Sequence, residues 1–271
     1  MSSNKSLTPD YEQIGDCTLY YGDCLDVMAE LNTKVQLTVT SPPYDNLRTY
    51  NNSSTWNEDV WKKVIQGLWD ITADGGVVVW VVGDATIKGS ETGTSFKQAL
   101  YFKEVGFNLH DTMIYEKSQA CFGSNNCYLQ SFEYMFVFSK GRPKTMSFIR
   151  DRKNVRGGAT ESIVSSGMNV DGGSGVRVQK TYAILGKRKN IWRYGVGGGT
   201  TAHPAVFPEK LAQDHIVSWS KVGEVVFDPF MGSGTTGAMC TRADRKFLGV
   251  EMDAGYFDIA CDRIEEAYNA K

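Results

Sequence analysis

Two short stretches, far apart in a chain of 271 residues, carry the residue types that could do chemistry. The first is Thr40-Ser41-Pro42-Pro43-Tyr44. Consecutive prolines hold φ near about −65° and donate no backbone hydrogen bond, so they end a strand and stiffen the turn behind it. That turn offers the Ser41 hydroxyl, the Pro42 carbonyl and the aromatic face of Tyr44. Two acceptors and a π-face suit a planar ring bearing an exocyclic amine, such as a nucleobase turned out of its stack. The second stretch is Gly232-Ser233-Gly234-Thr235-Thr236-Gly237, with Glu251 nineteen residues after Gly232. Glycines permit close backbone approach, and an acid ending the following strand accepts from both hydroxyls of a ribose. The pair is the fingerprint of a nucleoside-containing cofactor.

These residues need strands to carry them. The β-rich run Val35-Gln36-Leu37-Thr38-Val39 delivers Ser41, Glu224 to Asp228 delivers the glycine loop, and Phe247 to Glu251 ends on the acid. Thr18 to Tyr21 reads as a strand stopping at Gly22-Asp23, followed by a short helical run with Leu25, Val27, Met28 and Leu31 on its apolar face. A helix is expected from about Glu58 to Thr72. The unbroken apolar run Val77 to Val82 is expected to be a strand covered on both faces. A helix near Ser95 to Val105, strands near Leu109 to Tyr115 and Tyr134 to Phe138, and a helix ending near Trp219 complete the alternation. The fold class is α/β, a doubly wound sheet. Because only twenty residues follow Glu251, the rest of the sheet must come from the N-terminal half, a permuted order. Residues 1–16 read as a loosely packed arm, 17–140 and 201–271 as the two halves of the sheet, and 141–200 as a glycine-punctuated basic insertion outside it. Residues 45–57 form a long polar loop containing Arg48, beside the proposed ring site.

At 41% hydrophobic the chain buries a full core. No run nears the ~18 apolar residues of a membrane span, and Met1 to Thr8 lacks a signal-peptide core, so a cytoplasmic protein with no membrane partner is expected. Six cysteines contain no C-x-x-C, and with three histidines they supply no zinc spacing; they read as reduced thiols, mostly core, and no metal is expected. Net charge is −2, yet Lys140 to Arg193 holds thirteen Lys and Arg against three acids. A basic segment on an acidic body suits phosphate contact. Arg48, Arg150, Arg152, Lys153, Arg156, Arg177, Lys187, Arg188 and Lys189 are the candidate DNA-binding residues. Asp228, just before the glycines, would repel a pyrophosphate and attract an amino group, which favours S-adenosylmethionine over NAD.

Together, Thr40-Ser41-Pro42-Pro43-Tyr44 and Asp228-Pro229-Phe230-Met231-Gly232-Ser233-Gly234 resemble the amino-group DNA methyltransferases of the β order, in which the catalytic motif precedes the cofactor motif. The resemblance covers about two thirds of the chain. It implies a Rossmann-like methyltransferase sheet, S-adenosylmethionine as donor, double-stranded DNA as acceptor and a target-recognition region where the basic insertion lies. It makes Ser41, Pro42, Pro43 and Tyr44 catalytic. To the cofactor it assigns Asp23, His203, Pro204, Asp228, Phe230, Gly232, Gly234, Thr235 and Glu251. No cysteine follows a proline anywhere, which argues against covalent methylation of cytosine carbon-5. In this family a serine at the first catalytic position is more often found with cytosine N4 than with adenine N6, so N4 is favoured and N6 is the alternative. More distant readings are an NAD-dependent oxidoreductase, which leaves the Pro-Pro turn without a role, and a non-catalytic DNA-binding module, which leaves the glycine loop without one. RNA or a protein amide is an alternative acceptor. The recognition sequence, a cognate restriction endonuclease and a homodimer stay open at this level.

Overall fold

The computed structural model describes residues 10–43, 56–118, 128–164, 177–195 and 208–271. In chain order the elements are β1 (Asp10–Ile14), β2 (Cys17–Tyr21), α1 (Cys24–Glu30), β3 (Val35–Thr40), α2 (Glu58–Ile71) and β4 (Thr72–Val82). A two-residue pair, β5 (Thr86–Ile87) and β6 (Ser90–Glu91), precedes α3 (Thr94–Val105), β7 (Asn108–Lys117) and β8 (Phe132–Ser139). Four short strands follow: β9 (Arg150–Lys153), β10 (Thr160–Val164), β11 (Arg177–Thr181) and β12 (Leu185–Lys187). The chain then runs through β13 (Ile191–Tyr194), α4 (Glu209–Trp219), β14 (Val225–Asp228), α5 (Thr235–Arg242), β15 (Lys246–Glu251) and α6 (Ala254–Asn269).

Nine strands form one sheet in the order β1-β2-β15-β14-β3-β4-β8-β7-β13. From β2 to β4 neighbouring strands run parallel, β8 runs against β4 and β7, and β1 runs against β2. The last two strands of the chain thus lie between β2 and β3, the permuted order expected from the position of the glycine loop. Helices α1, α2 and α3 pack in a row, as do α4, α5 and α6. The first row buries Trp61, Val64, Ile65, Leu68 and Phe102 in one cluster with Val78, Trp80 and Val82 of β4. Val77, Val79 and Val81, equally buried, point to the other face, as the period of two requires. A strand buried on both faces needs no polar alternation, which is why its sequence is a continuous apolar run. Among the described residues, no helix is long and apolar enough to cross a membrane. Of the described cysteines, Cys17, Cys24 and Cys240 are buried free thiols and Cys261 is a partly exposed one.

Two segments depart from expectation. Within the N-terminal arm, Asp10–Ile14 is a strand that pairs antiparallel with β2 from Asp10 opposite Tyr21 to Ile14 opposite Cys17. Its tight turn uses Gly15 at φ +54°. The strand is mostly exposed, so no apolar alternation marks it. In the other case, Ile191–Tyr194 lies in the range assigned to the insertion but adds a parallel edge to β7, with Trp192 buried. The compact division leaves Phe148–Lys189 as a separate unit, comprising the antiparallel pairs β9·β12 and β10·β11.

Candidate active site

Strand order reverses between β14 and β3, and in open α/β sheets ligands bind beyond the carboxyl ends of the strands at such a point. β3 ends at Thr40, so Ser41 and Pro42 follow there, and β14 ends at Asp228, so the glycine loop starts beside them. One buried carboxyl joins the two. Asp228 accepts from Thr40 Oγ1 at 2.7 Å, from Thr236 Oγ1 at 2.8 Å and from the Phe230 N–H at 3.1 Å. Its oxygens are thereby taken up by three donors inside the protein, and only 4% of the residue is exposed. Asp228 therefore ties the end of β3 to the glycine loop and α5 from inside the protein. Burial pushes its carboxyl up to about 6, against the lowering effect of the three hydrogen bonds.

Glu251 behaves differently. Its carboxylate accepts from the N–H groups of Gly232 at 3.0 Å, Met252 at 3.0 Å and Asp253 at 2.9 Å, which fix its orientation at the end of β15. Burial raises its pKa, and these backbone donors oppose the rise. Further hydroxyl donors would stabilise the charged form. Asp23 lies at the neighbouring strand end, because Tyr21 pairs with Glu251 and the Gly22 N–H donates to the Glu251 carbonyl at 3.0 Å. Asp23 caps α1 by accepting from the Leu25 N–H at 2.8 Å.

The loop between β14 and α5 turns on Gly232 at φ +50° and Gly234 at φ +76°, where an L side chain is strained. Gly234 also touches α6: a Cβ there would lie 3.0 Å from Ala260. Gly234 is the N-cap of α5 and supplies no side-chain cap. Phe230 meets Trp56 edge to face, ring centroids 5.4 Å apart, so an aromatic wall stands beside the loop. Thr235 and Ser233 are buried and both are held by Arg263 of α6. Its Nη1 donates to Thr235 Oγ1 at 2.8 Å and to Ser233 Oγ at 3.2 Å, while Nη2 donates to Glu209 Oε1 at 2.8 Å. Glu209 is the first residue of α4 and also accepts from Arg242 Nη1 at 3.1 Å.

Sequence reasoning overlooked Thr40, Thr236, Arg263 and Glu209. Thr40 and Thr236 sit inside the quoted motifs, but their link through Asp228 forms only on folding, since Thr40 lies 188 residues from it. Arg263 left no signal, since one arginine on an amphipathic helix reads as solvated. Asp84, beyond β4, accepts from the Ser95 N–H at 2.9 Å and Ser95 Oγ at 2.5 Å, capping α3 where Gly93 supplies no side chain. Tyr44, Arg48, His203 and Pro204 lie outside the described residues.

In the Phe148–Lys189 unit the basic residues are not equivalent. Arg156 pairs with Glu161 at 3.0 Å, Arg188 pairs with Asp151, Arg152 Nε donates to the Lys187 carbonyl at 3.1 Å, and Lys187 Nζ lies 4.0 Å from the Phe148 ring centroid. Among the described residues, Arg150, Lys153 and Arg177 stand in no such ion pair.

Residues 35–262 match the family model described as DNA methylase, the N6/N4 methyltransferases. The orphan methyltransferase M.BamHII of Bacillus amyloliquefaciens is 50% identical over 263 residues, spanning 94% of this chain and 91% of that relative. The type II methyltransferase M.Cfr9I of Citrobacter freundii is 24% identical over 293 residues, spanning 93% and 89%. Among solved structures, PvuII DNA methyltransferase (cytosine-N4-specific) matches with TM-score 0.67 at 20% identity, over 93% of this chain and 91% of that one. A putative DNA modification methylase from Thermus thermophilus, complexed with S-adenosyl-L-methionine, matches with TM-score 0.62 at 23% identity, over 93% and 96%.

Proposed function

Because this chain belongs to the DNA methylase family of N6/N4 methyltransferases, we propose that it methylates cytosine N4 in duplex DNA at a specific sequence. The sheet is a Rossmann-like methyltransferase fold, and the methyl donor is S-adenosylmethionine. The observation that carries the reading is the junction of the Thr40-Ser41-Pro42 turn with the glycine loop at the switch point, held by Asp228 between Thr40 and Thr236.

The residues present fit this donor. Glu251 is a fixed carboxylate at a strand end where two ribose hydroxyls would relieve its burial, with Asp23 at the adjacent end. Gly232 and Gly234 let the backbone approach, and Phe230 with Trp56 offers apolar walls for a planar ring. When bound, S-adenosylmethionine supplies a methyl group already activated on a sulfonium. The chain's task is then to orient the acceptor. Ser41 Oγ and the Pro42 carbonyl accept the amine's two hydrogens and draw the nitrogen lone pair out of conjugation, and the Tyr44 ring stacks on the base. Such positioning supplies about 7–11 kcal/mol of barrier lowering, and stacking adds roughly 1–3 kcal/mol.

Serine rather than an acid at position 41 supports cytosine N4, as does the cytosine-N4 specificity named for one structural neighbour. The test is transfer of labelled methyl from S-adenosylmethionine to unmethylated duplex DNA, followed by digestion to nucleosides. Label on N4-methylcytosine is expected. Label on N6-methyladenine would replace the base assignment, and no label on any DNA would sink the acceptor. In Ser41→Ala, loss of one polar contact to the reacting group should lower kcat by about 10²-fold while cofactor binding persists.

A further inference from the structure

The β10·β11 ribbon of the Phe148–Lys189 unit has two unlike faces. The register pairs Thr160 with Thr181, Ser162 with Gln179 and Val164 with Arg177, so Thr160, Ser162, Arg177, Gln179 and Thr181 share one face. All five are exposed. On this face Thr160 Oγ1 and Thr181 Oγ1 bond to each other at 2.9 Å, while on the opposite face Glu161 Oε2 accepts from Arg156 Nη1 at 3.0 Å and Lys180 Nζ lies 5.2 Å from the Tyr182 ring centroid. We infer that the Thr160–Thr181 face of this ribbon enters the major groove and reads base edges, with Arg177 and Gln179 as specificity-determining residues. This rests on the DNA methyltransferase reading above.

Three observations carry it. A two-stranded ribbon fits the major groove, where arginine pairs bidentately with guanine and glutamine with adenine, and Ser or Thr bonds to either. Arg177 and Gln179 are two residues apart on one strand, about 6.6–6.8 Å. That separation equals two base-pair steps of about 3.4 Å each. The two side chains therefore address positions two base pairs apart. Finally, the unit holds nine basic residues against three acids, and two of those acids, Asp151 and Glu161, are already paired with Arg188 and Arg156. The remaining positive charge suits the phosphate backbone of a nucleic acid.

The test maps every methylated site in a duplex library of varied sequence, first with the unaltered protein, then with Arg177→Ala, Gln179→Ala and, on the opposite face, Val178→Thr. The unaltered protein should methylate one short motif. Arg177→Ala and Gln179→Ala should each relax discrimination at a single position by about 5- to 150-fold, two base pairs apart. Val178→Thr should keep the motif. An unchanged motif in both alanine variants overturns the inference. So does a uniform loss at all sites with a salt slope shallower by about one, the mark of a phosphate contact. A wild-type protein that methylates no duplex in the library overturns the functional reading itself. All three substitutions lie on an exposed ribbon, and retained S-adenosylmethionine binding checks that each variant is folded.

Discussion

The glycine-loop region and the Phe148–Lys189 unit are built on opposite plans. Around the glycine loop almost every polar group is spoken for by a group distant in sequence: Asp228 by Thr40, Gly232 by Glu251, Ser233 and Thr235 by Arg263, and Arg263 by Glu209. In the basic unit, β9 and β11 are exposed along their whole length, and the ion pairs join neighbours in the same small unit. A reacting geometry tolerates errors well under an ångström, which requires long-range bracing. A surface that meets varied DNA needs exposed donors and little bracing behind them. Substitutions should therefore act through stability and cofactor geometry in the first region and through DNA selection in the second.

The strongest way to break this contrast is Gly234→Ala. The substitution places a Cβ 3.0 Å from Ala260 on a backbone at φ +76°. Left-handed strain costs about 1–2 kcal/mol and overpacking about 1–3 kcal/mol. A loss of a few kcal/mol in urea denaturation is expected, together with weaker S-adenosylmethionine binding. A variant as stable as the parent would show that the loop is not tightly packed on α6.

Next in size is the pH dependence set by Asp228. Its folded pKa is raised to about 6 from an ordinary 3.8, so between these values the folded state keeps a proton that the unfolded chain has released. Its contribution to stability is therefore greatest below pH 3.8 and declines as pH rises to about 6, beyond which the cost is constant. A gap of about two pH units amounts to about 3 kcal/mol at most. Asp228→Asn removes the titration, so the stability of the parent minus that of the variant should fall by up to this amount between pH 4 and 7. A flat difference would mean that the carboxyl keeps its ordinary acidity.

Thr236→Val follows. It is nearly isosteric and leaves Asp228 Oδ2 without the Thr236 hydroxyl it accepts at 2.8 Å, at an expected cost of about 1–3 kcal/mol. The methyl-transfer rate should fall too, because the end of β3 loses part of its tie to the cofactor loop. Rescue by Thr236→Ser, which restores a hydroxyl, separates this from a packing effect.

How far the sequence exposes each region follows from the same contrast. β4, β14 and β15 are buried strands whose apolar runs announce them, and Glu251 sits at the fingerprint spacing from the glycines. β1 is almost wholly exposed and β13 is a four-residue edge whose Trp192 is buried by tertiary packing, so neither leaves a periodic signal. Asp228 was visible as an acid beside the loop, but its role depends on Thr40, 188 residues away, and only folding brings the two together. Arg263 is the extreme case, an ordinary helical arginine until α6 packs against the glycine loop. In the basic unit the excess charge was legible, whereas its division between paired and unpaired arginines depends on strand register.

The smallest expected effect sharpens the comparison most. Arg156 and Glu161 form a partly exposed pair, worth at most about 1 kcal/mol, so Glu161→Gln should leave stability nearly unchanged. It does release Arg156 from its counter-charge. If the unit works through phosphate attraction, the variant should bind unmethylated duplex more tightly at low salt. The slope of log affinity against log salt should steepen by up to about one contact. A stability loss above about 1 kcal/mol would show that the pair braces the unit as Asp228 braces the glycine loop. An unchanged slope would place Arg156 away from the DNA and leave Arg150 and Lys153 to carry the electrostatic contact.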